Sequence, residues 1–552
     1  MARPVFDFPD DKLPNFRIRK VLLISVILIS ALIRGFFAFS LELGNDEVYY
    51  WTYAVWPDLS HFDHPPMVGF TIQAFSLDLY FQSELFIRMG SVVLGTVNTY
   101  LIFLTGKYIK DFLTGFFAAL LYTASVYCFV IAGIFILPDT PQLFFWLISL
   151  YILIRVLPIK NIDRNNALTF FFASIPLGLA MLSKYTSVFL WFGAVGYIVL
   201  YNRAWLRKSE LYLGILISLL VFSPAIFWNI ENRFISFTFQ SERVSFFGQG
   251  FRPDFFFTEL FGQILYNNPL NFGIIVAALV AVFKGKKFLS VEYVRILLLT
   301  SLPLVVLFLF FAFFRRTLPH WSAPGYISLI LLAAAYMAEK AMKPPKAILF
   351  PKIIVASVVL LMVLLTAGFL EVKTGMFTKG TPADDSKQLG RNDVTLDLYG
   401  WRQLNEKFSE LYDADLFNKN ISADAPIISH RWFPAAHLDY YLAQQNEMNL
   451  MAIGSLEQIH KYAWINRQRP QLRRGSDAYF ITGSRDYKSP DYLLEYFAYI
   501  EEPEIIRIFK GKKHVQNFFV YRLRYCLQLP PDVLDEFGIP QSSYTGINVL
   551  PL

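Results

Sequence analysis

Over 552 residues the chain is 55% hydrophobic and 17% aromatic, with only 17% charged side chains, against about 25% charged in soluble domains, which excludes a purely water-soluble fold. The formal net charge of +7 does not signal nucleic acid, because Lys and Arg fall in short groups between apolar runs with no binding motif beside them. Two cysteines, Cys128 in an apolar run and Cys526 near the end, make neither a disulfide framework nor a cysteine metal site.

A helix needs about 20 apolar residues to cross a hydrocarbon core about 30 Å thick. Such runs predict spans near residues 20–41, 86–106, 112–133, 139–157, 167–182, 186–202, 209–228, 257–283, 294–314, 320–340 and 347–370, about eleven in all. The first has a basic prelude (Arg17, Arg19, Lys20) and small residues at 38–40, so a cleaved leader has to be weighed. Its long apolar stretch favours a retained span. Basic groups recur on alternate turns, at Arg17/Arg19/Lys20, Lys107/Lys110, Lys160/Arg164, Arg203/Arg207/Lys208, Lys284/Lys286/Lys287 and Lys340/Lys343/Lys346, and the positive-inside rule makes that side cytoplasmic. The loop at about 42–85, the turns at 138–141 and 183–186, the loop at 229–256, the turn at 315–320 and everything after 371 then fall outside.

The expected fold is an all-α polytopic membrane domain (1–370, with an extracytoplasmic catalytic loop at about 42–85), a linker (371–391) and a small extracytoplasmic α/β domain (392–552). Within the last, 426–429 and 479–482 read as short buried strands, 438–445 and 492–499 as helices, and 505–510 with 515–522 as a hairpin turning at Gly511.

The stretch 43–69, LGNDEVYYWTYAVWPDLSHFDHPPMVG, is dense in acid, aromatic and proline. Asp46 and Glu47 stand a few residues from the membrane surface, and Asp63-His64 precede Pro65-Pro66, which fix the backbone. The segment can be held rigidly over a membrane-embedded substrate. The plainer reading is an acidic helix cap followed by an interfacial aromatic belt.

The pair Asp46-Glu47 with Tyr49-Tyr50-Trp51, then Phe62-Asp63-His64-Pro65-Pro66, Pro138-Asp139-Thr140-Pro141, Leu182-Ser183-Lys184-Tyr185 and His320-Trp321 with Ala-Pro-Gly-Tyr follow one another across roughly the first 330 residues. In that order they resemble the dolichyl-phosphate-mannose protein mannosyltransferase-like family of C-type-fold membrane glycosyltransferases, whose bacterial relatives transfer aminoarabinose or galacturonic acid to lipid A. The resemblance implies a polyprenyl-phosphate sugar donor, membrane lipid around it, and an envelope acceptor (lipid, glycan or protein) of unknown identity, with no nucleic acid. It maps the acidic-pair aspartate onto Asp46, with Glu47 beside it in the catalytic pair. Such a carboxylate accepts the proton of an attacking hydroxyl, a task in which a positioned base contributes about 10²- to 10⁴-fold, or positions the acceptor if that is itself a phosphate.

A departing lipid phosphate also needs fixed cations. Lys184 and Arg316, then Arg315 and His320, are the donor phosphate-binding candidates, against a plainer reading in which the arginines snorkel to headgroups. Asp63, His64, Asp139 and Tyr49 are the substrate-binding candidates. Asp139 orients either sugar hydroxyls or a basic ligand, or else caps the span that starts there. No cofactor is firmly implied; a divalent cation on Asp63 and His64 is the alternative, though two adjacent residues are not a ligand set. The loop 229–256, with Arg233, Glu242, Arg243 and Arg252, closes over a substrate or is a solvated connector. A transporter or flippase of lipid-linked sugars is the competing function, but it calls for ionisable residues in mid-span, whereas here they gather at span ends.

Overall fold

The computed structural model describes residues 15–246, 248, 250–343, 348–378 and 385–540. Lys346, part of the expected linker (379–384) and the last part of the C-terminal domain (541–552) lie outside them. Among the described residues seven helices are long and apolar enough to cross a bilayer: Phe16–Ser40, Met89–Ile109, Asp139–Val156, Arg164–Ser183, Ser209–Glu231, Val291–Phe311 and Lys352–Thr374. The chain is a multi-pass membrane protein. Shorter apolar helices stand at Phe112–Ala124 and Tyr185–Tyr201, and the helix Ala323–Ala341 runs through the middle of the bundle with most of its side chains buried.

The region 257–283, expected as one span, is two helices, Pro253–Tyr266 and Pro269–Phe283, meeting at 101°. Pro269 cannot continue the preceding helix, and Asn268 takes a left-handed φ of 67° while its side chain caps the next helix at Leu270. The Asn268 amide also donates to the carbonyls of Ala124 (3.1 Å) and Ser357 (2.8 Å), which fixes the bend against two other helices. Counted together the pair makes an eighth candidate span.

The turns expected on one side do share one end of the bundle. At the basic end, Lys110 Nζ donates to the carbonyl of Phe288 (2.8 Å) and to Glu339 (2.9 Å), and Asn202 donates to the carbonyls of Leu157 and Ile159. At the other end the stretch 42–85 is mostly helical: Asn45–Val55, Met67–Ser76 and Glu84–Ile87. The first two cross closely at Gly69, where a Cβ would lie 2.7 Å from that of Tyr53, so only glycine fits.

The C-terminal region contains a mixed sheet of six strands, β1 (Ile427–Ser429), β2 (Leu450–Ala452), β3 (Ala478–Gly483), β4 (Phe497–Ile500), β5 (Glu504–Lys510) and β6 (Lys513–Cys526), in the order β2-β1-β3-β6-β4 with β5 also on β6. The parallel members are β2, β1 and β3, while β6 runs antiparallel to β3, β4 and β5. The expected strands and hairpin are present. The expected helix at 492–499 is instead a short 3₁₀ turn, Pro490–Glu495, running into β4; its aromatic residues fit a pleated edge as well as a helix. An amphipathic helix, Trp401–Phe417, was not foreseen from the sequence.

This sheet domain does not hang free. Leu43, Val48, Tyr49 and Trp51 of the first loop share one apolar core with Trp401, Tyr440, Tyr441 and Ile508. Polar ties reinforce it: Tyr441 Oη accepts from the Leu43 amide (2.7 Å), Glu42 accepts from the Trp401 amide (2.8 Å), and Arg402 pairs with Glu84. The loop therefore lies clamped between the bundle and the sheet domain.

Candidate active site

The loop helix begins at Asn45, so Asp46 and Glu47 occupy its first turn, where the unsatisfied N–H groups favour acidic side chains. Successive residues on a helix point about 100° apart, and the two carboxylates part company. Glu47 turns into the protein. Both its oxygens bind Arg88 (2.7 and 2.5 Å), and it also accepts from the amides of Gly44 (2.9 Å) and Ile136 (3.1 Å). That leaves it no capacity for a substrate. Asp46 is exposed and has no hydrogen-bond partner among the described residues. Protein nevertheless surrounds it on the scale over which charges act. Burial, with Asp63, Asp397, Glu47 and Asp139 nearby, pushes its pKa up to about 6.

Asp63 is gripped by two phenols, accepting from Tyr49 (2.7 Å) and Tyr53 (2.6 Å), with His460 of the sheet domain 3.8 Å from its other oxygen. Burial alone would raise its pKa; the bonds from His460 and Tyr53, with the charges of His460 and His64, outweigh this and hold it well below the usual range. His460 sits in a left-handed conformation (φ 50°) and stacks on Trp432, whose ring is 5.0 Å from Tyr49. Lys461 then donates to the carbonyls of Thr52 and Trp56, fastening the C-terminal end of the loop helix.

Asp139 opens its helix and holds Lys184, which lies in the short turn after Arg164–Ser183. The ammonium bonds both Asp139 oxygens (3.0 and 2.8 Å), and Tyr127, in a π-helical turn, adds a third bond to that carboxylate (3.0 Å). Of the readings open for Asp139, its contact is with a basic ligand. The ammonium has three N–H donors, so one is left over.

His64 and His320 feel the same three charges. Burial lowers the pKa of His64 to about 4 and of His320 to about 3, with Lys184 and Arg243 pushing down and Asp139 pulling up on both. Arg243 comes from the helix Ile235–Val244, inside what the sequence presents as a loop. Its guanidinium lies over the rings of Trp321 (4.7 Å) and Phe239 (5.3 Å) and has no carboxylate partner among the described residues. Asp46, Asp139 and Lys184, far apart in the chain, thus lie in one electrostatically linked group with Asp63, His64, Arg243 and His320. The arginines of the 315–320 turn stand apart from it: Arg315 donates to the Ser245 carbonyl (2.9 Å), and Arg316 is exposed. Beside Lys184 an apolar recess of about 320 Å³ is lined by Met181, Tyr185, Val188, Phe222, Phe237 and Gln240. No group of three or more His, Cys, Asp or Glu side chains with metal-binding geometry occurs among the described residues.

Sequence reasoning missed Arg88, His460 and Lys461, and took Arg243 only as part of a loop. No local pattern marks the first three, because each acts on residues 41 or more positions away.

Residues 63–228 match the family model described as dolichyl-phosphate-mannose-protein mannosyltransferase, a stretch that holds Asp63, His64, Asp139 and Lys184 and begins after Asp46. Over that stretch the chain is similar to this family. The lipid A galacturonosyltransferase RgtD of Rhizobium johnstonii is 22% identical over 292 residues, 52% of this chain and 59% of that relative's length. The crystal structure of ArnT from Cupriavidus metallidurans bound to undecaprenyl phosphate superimposes with a TM-score of 0.56 at 16% identity, covering 92% of this chain and 98% of that one. The same protein in its apo state gives 0.57 at 13% identity, over 91% and 98%. At these identities the structural likeness shows the fold, and it extends over bundle and sheet domain alike.

Proposed function

We propose that the chain is a glycosyltransferase that moves a sugar from a polyprenyl-phosphate donor to a cell-envelope acceptor at the outer membrane face. The observation that carries the reading is an exposed carboxylate with no hydrogen-bond partner among the described residues, Asp46, within electrostatic range of Asp139, which holds Lys184 and which, with Lys184 and Arg243, acts on His64 and His320. The relatives support the donor class: one solved relative is bound to undecaprenyl phosphate, and the curated relative is a lipid A galacturonosyltransferase. The basic groups at the far end of the bundle support an N-terminus inside and a sheet domain outside.

In this reading the acceptor hydroxyl attacks the anomeric carbon while the bond from that carbon to the phosphate oxygen breaks. The hydroxyl proton passes to Asp46, and the lipid phosphate leaves with the electron pair. Charge growing on its oxygens meets the spare N–H of Lys184 and the guanidinium of Arg243, which are already oriented by Asp139 and by the Trp321 ring. The two imidazoles, uncharged at neutral pH, serve as N–H donors. The apolar recess beside Lys184 takes the first prenyl units. In this reading fixed cations do the work that a metal does elsewhere, so chelation is expected to leave the rate unchanged; a loss of rate on chelation would restore the divalent-cation alternative. Asp63, bonded by Tyr49 and Tyr53, holds the loop's shape, and Glu47 anchors the loop rather than touching substrate.

The test is reconstitution with sugar-loaded polyprenyl phosphate. Lys184→Ala is expected to weaken transfer at least tenfold, the scale of a lost charge-assisted hydrogen bond. Movement of the lipid-linked sugar across the bilayer that survives Asp46→Asn, with no transfer by any variant, would establish the transporter reading instead. The raised pKa of Asp46 sets a pH limb. The carboxylate is protonated and useless as a base below about 6, so kcat/KM for a hydroxyl acceptor is expected to fall about tenfold per pH unit below that value and to level off above it. A flat profile from pH 5 to 8 in chemistry-limited turnover would contradict the assignment.

A further inference from the structure

A second cavity, of about 870 Å³, lies in the sheet domain outside the candidate active site. It opens where β1 and β2 end, at His430-Arg431-Trp432 and Ile453-Gly454-Ser455. Those are the carboxyl ends of adjacent parallel strands, the edge at which open α/β sheets hold their ligands. Its volume is in the range of small-molecule sites.

His430 lines this cavity at 5% exposure, and neither of its ring nitrogens has a hydrogen-bond partner among the described residues. A buried imidazole with both nitrogens unsatisfied costs free energy unless something occupies the space in front of it. Arg431 and Lys488 stand close enough to act on its charge: burial first, then these two cations, bring its pKa down to about 4. No carboxylate pairs with either cation among the described residues, in contrast to Arg467 on another wall, which is tied to Asp532 and Asp535. Lys488 lies 5.1 Å over the ring of Tyr492, and Tyr496 and Trp432 add further aromatic surface. Flat aromatic faces, a neutral hydrogen-bonding ring and two unspent cations on one wall make a surface that suits a sugar ring carrying a negative charge.

We propose that this cavity binds an anionic saccharide, one bearing a phosphate or a carboxylate, and that it is where the sugar portion of the acceptor is recognised. The second half rests on the transferase reading above; the first does not. The connection to the candidate active site is physical. Trp432 lines the cavity, packs 5.0 Å from Tyr49 and stacks on His460, which faces Asp63. A ligand seated against Trp432 is one side chain away from the loop that carries Asp46.

The experiment uses the full chain in detergent, with Trp fluorescence and calorimetry as readouts and four probes: glucosamine 1-phosphate, glucuronic acid, glucose and inorganic phosphate. The two charged sugars are expected to bind saturably, and their order tells a phosphate-bearing from a carboxylate-bearing ligand. Glucose and inorganic phosphate are each expected to bind at least tenfold more weakly. The surface double variant Arg431→Gln/Lys488→Gln, which breaks no ion pair among the described residues, should weaken the charged sugars at least tenfold, as should His430→Phe. In the transfer assay the double variant should raise KM for the acceptor and leave kcat unchanged. Absence of saturable binding, binding of inorganic phosphate as tight as that of the sugar phosphate, or affinity untouched by the double variant would each overturn the site. Binding as expected with no transfer by the wild type would leave the site standing and remove the transferase reading. Transfer with an acceptor KM indifferent to the double variant would do the reverse, separating this cavity from acceptor recognition.

Discussion

Asp46→Asn is expected to lower kcat for transfer to a hydroxyl acceptor by about 10²- to 10⁴-fold, the usual contribution of a positioned base, while leaving donor affinity nearly intact. The reason is local. Asp46 makes no hydrogen bond among the described residues, so the amide replaces it without orphaning a partner, and Glu47, the only neighbour of similar chemistry in the first turn of that helix, is held on the opposite side by Arg88. In the proposed function donor affinity rests on Lys184 and Arg243, which the substitution does not touch. The measurement is single-turnover transfer with donor bound in advance, so that chemistry and binding separate. A fall in donor affinity with an unchanged chemical step would show that Asp46 shapes the site and takes no proton. With a phosphate acceptor the loss should shrink, because that nucleophile arrives already ionised; comparing the two acceptor types therefore tells a base from a positioning group.

The parts of the site that were legible in the sequence are those that punctuation marks. Asp139 sits between two prolines at a span start, Lys184 in a turn too short to be anything but a span boundary, and Asp63-His64 against Pro65-Pro66. Alternation of span and turn then put all of them on one side, and in the structure they lie within electrostatic range of one another. Glu47 shows where adjacency misleads, since neighbours in sequence are not neighbours on a helix surface. Arg315 and Arg316 show the same for unusual placement: their turn also carries His320, which does belong to the linked group, and nothing in the local pattern separates the three. Arg243 was hidden because a polar, aromatic stretch between spans reads as a loop, whereas its helix is held by packing on Trp321 and Phe62 through Arg243 and Phe239. The bend at Asn268 was marked in the sequence by Asn267-Asn268-Pro269, a helix-stop signal outweighed by the apolar runs on either side; the pairing of Asn268 with carbonyls 89 and 144 positions away is what fixes it.

The largest effect on the folded state is expected at Arg88. Its side chain is fully buried, it forms two bonds to Glu47, and it donates to the carbonyls of Ala38 (3.1 Å), Leu41 (2.7 Å) and Glu42 (2.8 Å). Those carbonyls belong to the end of the first span, where a helix runs out of its own donors. One guanidinium thus closes that helix and fixes the start of the catalytic loop. Arg88→Ala strands a buried carboxylate together with these carbonyls, and removing one partner of such a pair costs about 3–5 kcal/mol. The expected result is a large drop in thermal stability in detergent, and in yield. Glu47→Gln should cost less, since the amide can still accept from Arg88. The double variant Arg88→Met/Glu47→Leu should recover part of the loss, because it leaves no unpaired charge, although the carbonyls stay orphaned. Transfer by the double variant should nonetheless remain low, since Asp46 lies one residue from the broken anchor. Wild-type stability in Arg88→Ala would mean that water replaces the guanidinium, and that the loop is held by the sheet domain instead.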